Sequence, residues 1–500
     1  MSQSEPHAEL PDYLPNHLGG VREPGPTDEV RIRVTPLGFG RASQMLHRTG
    51  ARFITLLLAD NPEPALIGAF AMRGDLVVLR APIPPGVQPA YTALGPWWPA
   101  ARWTEQELAD RHGARPVGLV DLPGLTRPDA SALEPSIAGL DVFSLPFGPV
   151  RSGVFEAIQF LIETGGEDVT RIRTRPFFKH RGLEDRAVSM TPEEAVHVAE
   201  RIAGISSVAY AVAFSQAVER ALGVSPPPRA ERWRAVHAEL ERMANHLDVI
   251  AKQAETTALA VGHARFAILK EQIMRLRARL TGSRFGRGAV LPGGVRAEGA
   301  VAPDALQREL DAFERDLARD RRLFLGTASM TDRLIGSGRL PRALVEEYSA
   351  VGPVARGSGL STDARHERPY GEYRRLGLQV VTQRDEDAMA RVLVRFSELT
   401  ESLRILRQAL EHLRRANGAS ETLASLPHGR SGCAFGWAEA AQGELVIWVE
   451  LTDGLISRLR VASPSLRNWA LFDHAFPKDV LTDFAFIEHS FGLSVAGADR

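Results

Sequence analysis

The chain has 500 residues, 44% of them hydrophobic and 24% charged, with 60 Lys and Arg against 61 Asp and Glu. That length exceeds one small domain and predicts two or three, with ample chain for a large core. The balanced charge excludes a global field that would gather nucleic acid or an anionic membrane, and the single Cys433 excludes internal disulfides and any cluster held by several cysteines of this chain.

Residues 1–29 are rich in Pro, Gly and acidic residues and predict a flexible arm. They lack the basic start and apolar centre of a secretory signal, and no apolar run approaches the roughly 20 residues that span a bilayer. The expected location is therefore the cytoplasm. From Val30 the pattern changes to strand, helix and three strands: RIRV, a mixed stretch to Thr49, then RFITLLLAD, ALIGAFAM and DLVVLRAPI. This predicts a small α/β domain with an antiparallel sheet over 30–121, which includes a short helix in PWWPAARWTEQELADRHG (96–113). A linker is expected at 122–140.

The second domain, 141–500, opens with strands in DVFSLPFG (141–148) and in 154–175, where Gly165-Gly166 suits a hairpin turn. Thr191-Pro192-Glu193-Glu194 is a helix start: a hydroxyl cap, proline in the first turn, and carboxylates at the positive end of the helix dipole. A helical pattern rich in alanine and glycine then runs to Leu222, which suits close packing in a buried position. Further helices are predicted near 229–258, 262–281, 302–326 and 385–416, then a strand pair around Thr452-Asp453-Gly454 and a short helix near 476–488. Cys433, in a glycine-rich turn before a strand, reads as a packing residue. The fold class is α+β, a small sheet-bearing domain followed by a mainly helical one with peripheral strands.

Composition points to no chemistry, but nine segments in order do: GPVRSG (148–153), FFKHRGLE (177–184), ERIAGISSVAY (200–210), AELERMANHLD (238–248), LTGSRFGRGAVLPGGV (280–295), VGPVARGSGLSTDARHERPYGEY (351–373), GWAEAAQGEL (436–445), SPSLRNW (463–469) and SFGLSVAGADR (490–500). Together they make residues 145–500 resemble the large subunit of group 4, formate hydrogenlyase-type nickel-iron hydrogenases and the homologous quinone-site subunit of respiratory complex I. WTEQELADRHG (103–113) makes the first domain similar to the small complex I subunit fused to such chains.

The resemblance implies a metal pocket whose four thiolate positions are here Ala203, Ser206, Ser494 and Gly497. Hydroxyl, methyl and bare backbone do not replace the soft thiolates that hold such metals. Tyr210 stands where the hydrogenases carry histidine, while Gly204, Asp499 and Arg500 keep the hydrogenase residues. The histidine and tyrosine that hold the quinone headgroup in complex I correspond to Arg151 and Gly204. The chain thus looks like the large subunit of hydrogenase-related complexes that lack the metal-binding cysteines.

The resemblance further implies that Arg356, Asp363 and Arg365 line or brace the central cavity, either as an internal ion-pair network or as binders of a polar ligand. Tyr210 is either a proton donor to a quinone or a space-filler, and Ser206 and Ser494 are candidates to hold water. His180 and Arg181 are expected at the interface with an iron-sulfur partner, and His246 as a core hydrogen-bonder. No metal or cofactor is expected on this chain itself. The implied partners are a small iron-sulfur subunit and antiporter-like membrane subunits, on the inner face of the cell membrane. The implied activity is electron transfer to a quinone coupled to cation translocation; the alternative is a non-catalytic scaffold.

Overall fold

The computed structural model describes residues 14–26, 28–84, 86–119, 142–151, 156–296, 303–415, 421–476 and 479–500. Two compact units emerge, Met1–Leu133 with Glu346–Ser349, and Glu134–Val345 with Ala350–Arg500. The architecture is α+β, strand-rich at first, then largely helical, with a C-terminal antiparallel sheet.

In the first unit, α1 (Leu14–His17) and β1 (Val21–Glu23) are ordered elements within the expected arm. Residues 1–13 of that arm, and the expected linker at 122–140, lie outside the described residues. The expected strand, helix and three strands are β2 (Glu29–Arg33), α2 (Pro36–Arg48), β3 (Arg52–Ala59), β4 (Ala65–Met72) and β5 (Asp75–Pro82). The sheet order is β1-β2-β5-β4-β3. All its pairs are antiparallel except β2 with β5, a correction to the wholly antiparallel expectation. The cause is the connection: α2 carries the chain from β2 to the far edge at β3, and the meander back lays β5 alongside β2 in the same direction. The core gathers on Trp98, whose ring lies 6.1 Å from Phe53 and 5.1 Å from Phe70. Strands β6 (Ala90–Thr92) and β7 (Arg115–Val117) pair in parallel and flank α3 (Ala101–His112) in sequence. Buried Glu105 on α3 accepts from the amides of Leu94 and Gly95 at 2.6 and 3.0 Å. Burial pushes its carboxyl up to about 7.

The second unit starts with an antiparallel sheet of β8 (Phe143–Phe147), β9 (Gln159–Thr164) and β10 (Val169–Arg175), with Gly165-Gly166 in the hairpin turn. After α4 (Leu183–Arg186), the Thr191–Glu194 capping box forms and starts α5 (Pro192–Ala199). The pattern expected to continue to Leu222 is interrupted. A 3₁₀ turn at Gly204–Ser206 separates α5 from α6 (Ser207–Leu222), and the chain bends by 117° there. Among the described residues no single helix is long and apolar enough to cross a membrane.

The helical body continues through α7 (Pro228–Thr256), α8 (Ala260–Thr281), the short strands β11 (Val290–Leu291) and β12 (Gly294–Val295), α9 (Pro303–Leu325), α10 (Ala328–Leu334), α11 (Arg342–Glu347), α12 (Gly352–Arg356), α13 (Ala364–Glu367) and α14 (Ala388–Arg415). The long helices fall within a few residues of their expected spans. The expected strand pair is instead a three-stranded meander, β13 (Gly432–Ala440), β14 (Gly443–Thr452) and β15 (Leu455–Ala462). Its first turn, Ala441-Gln442, carries no Asn-Gly or Asp-Gly signal, which is why it reads as strand interior. Cys433 therefore sits inside β13. α15 (Pro464–Phe472), α16 (Phe484–Phe491) and α17 (Val495–Asp499) close the chain, α16 lying a few residues later than expected.

Alanine-rich α6 lies directly on β13. A Cβ added at Gly436 would sit 2.1 Å from the Ala213 carbonyl oxygen and 2.4 Å from the Ala217 nitrogen, and one at Gly432 would sit 2.3 Å from the Ala221 carbonyl oxygen. Neither helix backbone can yield without moving the whole element. Gly436→Ala is expected to destabilise the second unit by at least the about 1–3 kcal/mol typical of overpacking, read as a lower urea midpoint.

Candidate functional site

The loop between α5 and α6 is held from several sides. Buried Glu241 on α7 accepts from the amides of Val208 and Ala209 at 2.8 and 3.0 Å, capping the start of α6, and pairs with Arg277 at 3.1 Å. One turn further along α7, Asn245 donates to the Ile205 carbonyl at 2.6 Å. Ser206 donates to the Gln442 side chain at 2.8 Å, and Gln442 in turn donates to Asn245 at 3.4 Å.

The C-terminal segment is held in the same way. The Ser494 hydroxyl accepts from Gly497 N at 3.0 Å and donates to Glu156 at 3.3 Å. The same Glu156 accepts from the amides of Val495 and Ala496 at 2.7 and 3.1 Å. Asp499 is buried and accepts from the amides of Phe177 and Lys179 at 2.7 and 3.0 Å; burial raises its carboxyl. Arg500 donates to Glu184 at 3.2 Å and to the Val461 carbonyl at 2.8 Å, while Glu184 also pairs with Arg460 at 2.6 Å.

His180 and Arg181 are exposed at their tips yet tie these segments together. The His180 Nδ1 lies 2.7 Å from the Asp499 carbonyl. The Arg181 guanidinium donates to the carbonyls of Arg201, Ile202 and Ala496 at 3.0, 2.6 and 3.1 Å, so one side chain spans both motif loops.

Tyr210, on α6, lies between the loops with 2% exposure. Burial pushes its phenol up to about 12, against the pull of a Ser463 hydrogen bond and of the nearby Arg500 and Arg181 charges. A Cβ built on Gly497 would lie 3.2 Å from the Tyr210 hydroxyl and 3.3 Å from Ser463 Oγ, so the phenol occupies the space a side chain at 497 would take. The four positions that the resemblance aligns with metal-binding thiolates therefore do not suit a nickel-iron centre. Ala203 and Gly497 offer no donor atom, Ser206 and Ser494 spend their hydroxyls on protein partners, and Tyr210 fills the gap. Among the described residues no group of three or more His, Cys, Asp or Glu side chains is placed to hold a metal ion.

Arg151 has a different set of partners. Its guanidinium binds Glu488 on α16 through two bonds of 2.9 and 2.7 Å and lies 5.1 Å from the rings of both Phe147 and Phe160. The long sequence separation from Glu488 hid this bidentate pair.

Arg356, Asp363 and Arg365 come together in a buried lattice of charges. Arg356 donates to Glu398 at 2.7 Å, Glu439 at 2.9 Å and Asp363 at 3.3 Å, and to the Thr362 carbonyl at 2.7 Å. Arg365 pairs with Asp363 at 2.7 Å and Glu239 at 2.9 Å. Glu239 also accepts from Tyr373 and Ser402, each at 2.6 Å. Arg242 lies 3.4 Å from Glu239 and donates to the carbonyls of Ala440 and Glu439. His246, fully buried, sits 2.8 Å from Glu398, and Arg395 reaches its other nitrogen at 3.3 Å.

Helix spacing explains the arrangement. Glu239, Arg242 and His246 recur at i, i+3 and i+7 on α7, while Arg391, Arg395, Glu398 and Ser402 form a matching stripe on α14. Burial pushes the Glu398 carboxyl up, but Arg356, His246 and Arg242 outweigh it and hold it well below the usual range. Asp363 and Glu239 are lowered on the same balance, whereas burial and then Asp363 leave Glu439 raised. Burial holds His246 down to about 4, so it is neutral near pH 7.

Removing Arg356 strips Glu398 of the cation that holds it down. In the native protein the depressed Glu398 adds stability above its unfolded pKa that is lost only in acid. In Arg356→Met the carboxyl rises and binds its proton more tightly folded than unfolded, so stability falls as pH rises. The expected deficit is about 3–5 kcal/mol near pH 8 and smaller near pH 5, measured by urea unfolding at both pH values.

The family described as respiratory-chain NADH dehydrogenase, 49 kDa subunit, matches residues 261–431. Formate hydrogenlyase subunit 5 of Escherichia coli (strain K12) is 28% identical over 444 residues, 83% of this chain and 77% of that protein. Membrane-bound hydrogenase subunit alpha of Pyrococcus furiosus is 30% identical over 375 residues, 71% of this chain and 87% of that protein. A chain of the membrane-bound sulfane sulfur reductase, an archaeal respiratory membrane complex, shares the fold with a TM-score of 0.67 at 24% identity, over 72% of this chain and 99% of that one. The chain belongs to the family that joins the 49 kDa subunit of respiratory NADH dehydrogenase with the large subunits of nickel-iron hydrogenases.

Proposed function

We propose that the chain is a peripheral-arm subunit of a membrane-bound respiratory complex related to complex I and the group 4 hydrogenases, held at the inner face of the cell membrane by its partners. In this reading it receives a small iron-sulfur subunit at the surface carrying His180 and Arg181. It transmits changes at that surface toward antiporter-like membrane subunits through the buried charge lattice. It binds no nickel-iron centre. The observation that carries the reading is the packing at Ala203, Ser206, Ser494 and Gly497, where protein hydrogen bonds and the Tyr210 phenol take up the donors and the space. The similar proteins named as a hydrogenlyase subunit, a membrane-bound hydrogenase subunit and part of a respiratory membrane complex support the assembly.

One observation favours a second reading, reduction of a quinone. Tyr210 is held protonated close to the Arg500 and Arg181 charges, the make-up of a proton donor to a reduced oxygen. The two readings part on one variant. In the intact complex, Tyr210→Phe is expected to leave turnover within about twofold, whereas loss of a general acid lowers it about 10²-fold or more. Metal analysis of the same preparation is expected to find nickel far below one per chain, and stoichiometric nickel would sink both readings.

A further inference from the structure

Beside the α5–α6 loop, and apart from the closed Tyr210 site, lies an open cleft of about 570 Å³. Its wall carries four guanidinium groups, Arg186, Arg201, Arg287 and Arg296, with His197 and the single carboxylate Glu200. That carboxylate is already committed, since it accepts from Gly288 N at 2.6 Å and lies 3.3 Å from His197 Nδ1, and burial raises its pKa. Among the described residues Arg201 acts on Glu200 by charge alone, and no ion pair at 4 Å or less joins Arg186, Arg287 or Arg296 to a carboxylate. Arg201 donates to the His197 carbonyl at 2.9 Å, a neutral acceptor. Arg287 rests against the Phe285 ring at 5.1 Å, and its buried Nε has no hydrogen-bond partner among the described residues.

The contrast with the interior is informative. Arg234, Arg277, Arg356 and Arg365 are each paired with carboxylates at 3.1 Å or less. In the cleft, the end of α4, the residues after α5 and the loop 280–296 bring four cations to one concave wall, where Glu200 is the one carboxylate among the described lining residues. Such a wall focuses positive potential, and guanidinium forks match phosphate oxygens in pairs. The volume lies within the range of about 300–1,000 Å³ usual for small-molecule sites.

We propose that this cleft binds a small multivalent anion of the phosphate class. The bound anion bridges the end of α5 to the loop bearing Arg287 and Arg296. Because a Cβ on Gly204 would lie only 3.4 Å from Arg287 Nη2, occupancy also fixes Arg287 against the loop that contains Ala203 and Ser206.

The test is calorimetric titration of the purified full-length chain with inorganic pyrophosphate. The expected result is saturable binding of one anion per chain, weakened by salt and displaced by inorganic phosphate. Replacing Arg287 and Arg296 together by Gln is expected to weaken it at least about tenfold. Arg186→Gln, at an exposed side chain, gives the same direction where the double variant folds poorly. Arg284→Gln, which removes a surface partner of Glu271 outside the cleft, is expected to change nothing. Absence of saturable binding, or binding indifferent to both cleft variants, overturns the proposal. So does loss of a co-purifying protein from the Arg287 and Arg296 variant without any pyrophosphate binding by the parent, which would assign the cleft to an acidic protein segment.

Discussion

Arg356 has no exposure to solvent, and an uncompensated charge at that depth costs several kcal/mol. It stays in place because Glu398 of α14, Glu439 of β13 and Asp363 before α13 all converge on it. Each of these anions is shared with a second cation or donor, so none of the elements can slide without stranding a charge. α7 is registered by Glu239, Arg242 and His246 on one face. Its Glu241 and Asn245, on another face, then place the α5–α6 loop. The position of the α5–α6 loop is thus inherited from an ion lattice on a neighbouring face of the same helix.

That inheritance explains how the framework survives without thiolates. A nickel-iron centre would clip the α5–α6 loop to the C-terminal segment through metal-sulfur bonds. Here Arg181 clips them through three carbonyls, Ser206 is anchored by Gln442, and Ser494 by Glu156. Each such hydrogen bond contributes only about 1 kcal/mol net. Their number and the burial of Asp499 and Arg500 hold the two segments, with Arg181 and the Arg500 partner Glu184 both coming from the FFKHRGLE segment.

Much of this was legible in the sequence, for identifiable reasons. Helices with capping residues, such as α5 behind Thr191, declare themselves by local spacing. The ordered motifs drew attention to the segments around Ser206 and Ser494, whose side-chain partners Gln442 and Glu156 lie far off in the chain. What stayed hidden depends on partners far apart in the chain: the parallel placement of β5 against β2, the Arg151–Glu488 pair, and the carboxylates Glu239, Glu241, Glu398 and Glu439 that satisfy the arginines. Glu239 and Glu241 lie inside AELERMANHLD, and the spacing of Glu239 to Arg242 (i, i+3) and His246 (i, i+7), and of Glu241 to Asn245 (i, i+4), was a usable signal. The turn at Ala441-Gln442 and the break after Ala199 carried none, because no Asn-Gly pair marks the first, and Glu241 on a distant helix caps the second.

The charge balance of the lattice bears on how such a subunit passes on a signal. Burial is outweighed for three carboxylates, Glu239, Asp363 and Glu398, by Arg242, Arg356 and Arg365, while burial and then Asp363 leave Glu439 raised. A lattice balanced in this way tolerates little displacement, because any guanidinium that leaves one anion must find another in a medium where charges are poorly screened. Arg242 is the residue at which the lattice meets the motif loop: it neighbours Glu241 in the chain, lies beside Glu239, and donates to the last two carbonyls of β13, just before the turn that carries Gln442. Movement of the α5–α6 loop acts on Glu241, Asn245 and Gln442, all adjoining Arg242 or its acceptors. Under the coupling reading, the α5–α6 loop reaches the charged lattice through Glu241, Asn245 and Gln442, side chains that need no metal to make the connection.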